Sequence, residues 1–201
     1  MYTDLFTFAS IIVILPSMQM VKASKPKQRI LEASAALFYK HDANTIGVDK
    51  VCEVADVSKR TLYKHFSTKE VLVSEALAAQ ADTWAKDFAA IKTKDPAGRI
   101  VSVFKILEQK VGSKDYHGCP MMNTSIELRD SSAPAKNVAK DFKAKLLEYF
   151  EHQATLLNVN NPGSLAEQLL LLYDGCNAWI VMRRQFPKSV FKAVNVLLRN
   201  R

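Results

Sequence analysis

From Lys22 onward the apolar residues of this chain recur at helical spacing almost without interruption. Ile30, Ala33, Ser34, Leu37 and Phe38 keep the i, i+3, i+4, i+7, i+8 rule, which predicts a first helix from about Pro26 to His41. Val48, Val51, Cys52 and Ala55 predict a short second one. No long alternating run of β-branched residues appears, and the 6 glycines and 7 prolines fall mostly at punctuation points. Amphipathic helices bury their stripes by packing on one another, so the expectation is an all-α fold. With 201 residues, 48% of them hydrophobic, the chain is long enough for a real core.

Charge narrows the partners. A net charge of +8 favours an anionic surface, nucleic acid or acidic membrane, without choosing between them. Cys52, Cys119 and Cys176 are an odd set without CxxC spacing, which argues against a disulfide framework or structural zinc and for a reducing cytoplasm. The apolar run Leu5–Leu15 is shorter than the roughly twenty residues a bilayer span needs. It also lacks the basic flank of a secretory signal. Residues 1–21 are therefore expected to be an extension outside the domains, with translation starting at Met18 or Met20.

The stretch VSKRTLYKHFSTKE, Val57 to Glu70, carries four Lys/Arg among few but regularly placed apolar residues. Ser58 has the side chain for an N-cap. Leu62 and Phe66 lie one turn apart on one side, leaving Lys59, Arg60, Tyr63 and Lys64 to the other. Only Asp56 and Val57 separate this basic helix from the one before it, the tight connection of a helix-turn-helix whose second helix enters a major groove. Ser67 with Glu70 reads as a capping box for a fourth helix.

The whole segment Thr45 to Leu72 resembles the DNA-binding signature of the TetR family of bacterial transcription regulators, through Val57, Ser58, Thr61, Leu62, Tyr63, His65, Phe66, Lys69 and Glu70. It departs at two positions. Asp56 stands where the family commonly has Gly, and Gly47 where many members have a capping Thr, so a phosphate contact there falls to the backbone N–H groups of Gly47 and Val48. The resemblance implies DNA contacts from Ser58 and Lys64, phosphate contacts from Tyr63, His65 and Lys69, and base edges within reach of Lys59, Arg60 and Thr61. Arg60 is the best base reader, because its fork can take guanine O6 and N7 together. The basic segment Lys22 to Arg29 is a tail that either trails along phosphates or stays solvated.

The resemblance further implies an N-terminal three-helix DNA-binding domain, residues 22–72, followed by a larger helical ligand-binding and dimerisation domain, residues 73–201. Within the latter, helices are read to about Phe88, from Asp95–Pro96, around Cys119 to Leu128, after Ser131 to Pro134, and behind a capping box of Ser164 and Glu167. The last two helices look like half of a dimeric four-helix bundle, with Leu169 and Val194 as interface positions. Phe104, Cys119, Met121, Met122 and Trp179 are the candidate lining of an inducer pocket. Cys119, ahead of a helix start and near His117, is read both as an inert pocket wall and as a reactive thiolate. His117 and Cys119 are too few to make a metal site, and no cofactor is expected.

The leading expectation is thus a cytoplasmic, ligand-responsive repressor, a homodimer on a pseudo-palindromic operator, released by a small molecule or by modification of Cys119, and not an enzyme. The alternatives are a membrane-associated basic helical protein and a cysteine-dependent enzyme. The first leaves the helix-turn-helix unexplained, and the second lacks an orienting third group or oxyanion donors.

Overall fold

The computed structural model describes residues 25–111, 116–128 and 134–199, and every regular element in them is an α-helix. Leu5–Leu15 and Lys22–Ser24 lie outside the described residues. The helices are α1 (Lys25–Lys40), α2 (Val48–Ala55), α3 (Lys59–His65), α4 (Lys69–Ala89), α5 (Pro96–Val111), α6 (Pro120–Glu127), α7 (Pro134–Leu156), α8 (Pro162–Arg183) and α9 (Ser189–Arg199). The described residues form two compact units, one within 25–84 and 120–142 and the other within 85–119 and 143–199, and the division falls within α4 and α7 and just before α6.

In the first unit, α1, α2 and α3 close on a core of Ile30, Val51, Cys52, Ala55, Leu62, Phe66 and Leu72. The stripe positions of α1 and α2 meet there, as their spacing predicts. α2 ends because Asp56 takes the left-handed conformation, φ 51° and ψ 57°, with its N–H on Cys52 and Glu53 carbonyls. Asp tolerates that backbone better than most residues, so the turn survives the absence of glycine. α3 then starts on Ser58, whose Oγ accepts the Thr61 N–H at 3.1 Å.

Two sequence expectations shift here. The cap of α4 is Thr68, not Ser67: its Oγ1 accepts the Val71 N–H at 3.3 Å and its carbonyl takes the Leu72 N–H. Adjacent hydroxyls are equivalent on paper, and it is the buried Phe66, extended at φ −132°, that fixes where the next helix opens. The residues Lys25–Arg29 are not a trailing tail but the first turns of α1. Lys27 pairs with Glu75 at 2.8 Å and lies over the Phe66 ring, while Arg29 reaches Asp56 at 3.4 Å.

The second unit centres on aromatic rings. Phe104 of α5 stacks on Phe150 of α7 and meets Tyr173 of α8 edge-on, each with centroids 6.2 Å apart. Asp95 caps α5 through the Gly98 N–H at 2.7 Å. α8 is capped by Asn161, whose Oδ1 accepts the Ser164 N–H at 3.0 Å, so Ser164 lies inside the first turn and the expected Ser164–Glu167 box does not form. Asn161 precedes Pro162, which suits the first helical position and sets the start. Leu169 and Val194 are fully buried within the protomer. They therefore belong to its own core, not to an interface between copies.

Candidate nucleic-acid interface

The candidate surface is built by the turn between α2 and α3. Leu62 is the one buried residue of α3 and anchors it to the core, which turns Lys59, Arg60, Tyr63 and Lys64 to solvent. An exposed tyrosine among three cations is costly to explain by packing and suits a phosphate oxygen, which accepts its O–H. Among the described residues neither Arg60 nor Lys64 takes part in an ion pair. Lys59 does: its Nζ lies 2.6 Å from Oδ1 of Asp49 in the first turn of α2. That contact, first as a hydrogen bond and then through charge, holds the Lys59 pKa above its ordinary value.

Other expected contacts divide between scaffold and surface. Ser58 and Thr61 are tied to each other, hydroxyl to hydroxyl at 2.9 Å, so their first task is to cap α3. Lys69 at the start of α4 reaches the Asn44 carbonyl at 3.4 Å, across from the α1–α2 turn. His65 is half-buried with its ring edge-on to Phe66. Val48 packs its side chain against the core while its N–H stays at the start of α2. Gly47 precedes it with no side-chain cap, and a Cβ added there meets nothing within 4 Å.

Burial and nearby Asp49 push the Cys52 thiol up, opposed by Lys59. Packing explains this cysteine fully. Sequence reasoning named Lys59 but missed Asp49, since a partner on the neighbouring helix leaves no local spacing signal.

The candidate ligand residues are distributed over both units. Phe104 and Cys119 are wholly buried in the second unit, Met121 and Met122 belong to α6 in the first, and Trp179 is 44% exposed on the outward face of α8. The interior of the second unit is polar in places. The Tyr116 hydroxyl donates to Asn177 Oδ1 at 2.6 Å, and Asn177 Nδ2 donates to the Tyr173 carbonyl at 2.8 Å. Burial, then the neighbouring Cys119 and Tyr116, push the Tyr173 hydroxyl well above its usual range. Arg184 straps the same region by donating to the Tyr116 carbonyl at 3.1 Å, and Gly118 takes φ 96°, which lets the chain turn into Cys119. Burial also pushes the Cys176 thiol up to about 11.

On the other side of α8, an apolar groove of about 800 Å³ runs between α8 and α9, lined by Leu171, Leu172, Trp179, Val196 and Leu197 among others. Among the described residues no helix is long and apolar enough to cross a membrane, and no group of three metal-ligating side chains occurs.

Residues 30–76 match the sequence family described as bacterial regulatory proteins of the tetR family. A TetR transcriptional regulator of Streptomyces avermitilis superimposes with a TM-score of 0.80 and is 33% identical, covering 88% of this chain and 97% of that one. SCO4454, a TetR-family transcriptional regulator of Streptomyces coelicolor, superimposes with a TM-score of 0.81 at 20% identity, covering 88% and 95%. The HTH-type transcriptional regulator YjdC of Escherichia coli is 24% identical over 145 residues, 71% of this chain and 75% of that protein.

Proposed function

Because the chain belongs to the TetR family of transcription regulators, we propose that it represses its targets as a homodimer on a pseudo-palindromic operator and lets go when a small molecule enters its helical regulatory domain. In this reading residues 22–72 bind DNA and residues 73–201 regulate and dimerise. The observation that carries it is the capped, basic α3 with Leu62 as its buried residue and Arg60, Tyr63 and Lys64 outward. Two such helices, one from each copy, suit half-sites about 34 Å apart.

The apolar outward face of α8 and α9 supports the dimer. Leu171 and Met182 are 72% and 73% exposed, a cost that a second copy would remove. A route for the signal exists inside the first unit: Glu127, at the end of α6, accepts the Ala43 N–H at 3.4 Å in the α1–α2 turn. Burial and then Asp42 raise the Glu127 carboxyl, and the Ala43 N–H opposes them. Of the two release routes, the small molecule is favoured, because Cys119 is 0% exposed and a native-state electrophile has no direct access to it.

Selection of bound duplexes from random DNA by the full-length protein tests the reading. An enriched palindrome, lost on Arg60→Ala at one base pair per half-site, is expected. Equal recovery of all sequences would overturn it.

A further inference from the structure

The acid beside the reading helix needs an explanation that stability does not supply. Asp49 and Lys59 are both well exposed, 78% and 58% at the side chain, and ion pairs at that exposure contribute about 0 to 1 kcal/mol. A carboxylate on a surface that meets phosphates lowers affinity for any duplex. The other acids nearby are placed differently: Glu53 pairs with Lys50 within α2, and Asp56 sits in the turn against Arg29. Asp49 alone among these pairs reaches from α2 across to the first residue of α3. Tyr63 and Cys52 both add to the raised Lys59 pKa, after Asp49, so the ammonium lies within electrostatic reach of Tyr63 on the same exposed side of α3.

In a major groove the groups that reward a carboxylate are the exocyclic amines of cytosine and adenine, while the Lys59 ammonium suits the guanine or thymine acceptors beside them. We propose that Asp49 is a specificity-determining residue, which restrains Lys59 from the phosphates, aims it at base edges and itself accepts a hydrogen bond from a cytosine or adenine amine at the same step. The pair then reads a donor next to an acceptor, and Asp49 trades general DNA affinity for discrimination. This rests on the DNA-binding reading of α2 and α3 given above.

The test compares full-length wild type, Asp49→Ala, Asp49→Asn, Lys59→Ala and the Asp49→Ala/Lys59→Ala double variant. Affinity is measured against salt on the wild type's selected duplex and on an unrelated duplex. Asp49→Ala is expected to bind unrelated DNA more tightly, with a log-log salt slope steeper by about 0.9 as Lys59 moves to a phosphate. The ratio of selected to unrelated affinity should fall roughly tenfold, with relaxed preference at one base pair per half-site. Asp49→Asn keeps the size and removes the charge, so it should steepen the slope as well and control for folding. In the Lys59→Ala background the steepening should vanish. Unchanged slopes and sequence preference in both Asp49 variants, or an equal loss on both duplexes, would overturn the inference while leaving the regulator reading intact. A wild type with no preferred sequence would overturn both.

Discussion

α3 and α8 solve opposite problems with the same kind of helix. α3 buries a single residue, Leu62, and turns cations outward. α8 buries seven, and its outward side is still apolar, with Leu171, Trp179 and Met182 exposed. A helix that meets a polyanion spends its outer face on charge, whereas one that meets a protein surface leaves that face greasy and accepts the solubility cost until it is covered. Neighbouring positions on α8 therefore differ sharply: Leu169 is buried in the protomer's own core, and Leu171, two residues on, is exposed.

The largest expected effect separates those two positions. Leu169→Glu should destabilise the protomer by several kcal/mol, since it buries an unpaired charge, and thermal melting would read it directly. Leu171→Glu with Met182→Glu should leave the melt of the fold in place, yet yield monomers by light scattering and weaken operator binding by about a hundredfold or more, through loss of the effective concentration each half-site supplies to its twin. Dimers surviving that double change would assign the groove between α8 and α9 to something else.

On the α3 side, Arg60→Ala should cost about 1 to 3 kcal/mol at one base pair per half-site and little elsewhere, read from affinities on duplexes mutated one position at a time. Tyr63→Ala should instead weaken all duplexes alike. Asp56→Gly should raise stability by roughly 0.5 to 1 kcal/mol in denaturant titration, because glycine meets no Cβ strain at φ 51° and only the exposed Arg29 pair is lost. Smallest of all, Gly47→Thr should add a few tenths of a kcal/mol, since space for the side chain is open and the α2 cap is vacant.

What could be read from the chain follows the same contrast. α3 was legible because its apolar and basic residues fall on a clear period: Ser58, Leu62 and the outward Arg60 all stand where spacing puts them, while the turn at Asp56 was legible only through the family resemblance. α8 was not, because a helix apolar on every side gives no stripe to orient, so Leu169 and Val194 passed for interface positions although both are buried within the protomer. Caps erred by small steps wherever two hydroxyl or amide residues competed, as with Ser67 and Thr68 or Ser164 and Asn161. The Asp49–Lys59 pair escaped for a different reason, as a contact between helices that no local spacing encodes.

The single anchor of α3 has a consequence for descent. Its capping and packing depend on Ser58, Thr61, Leu62 and Phe66, a set that does not overlap Arg60 and Lys64. Substitutions among those outward letters cost almost nothing in foldedness, as surface changes usually do. After a gene duplication, one copy can thus drift to a new operator while its sibling keeps the old one, with no unstable intermediate on the way. The same separation makes α3 a natural place to engineer regulators that ignore one another's promoters.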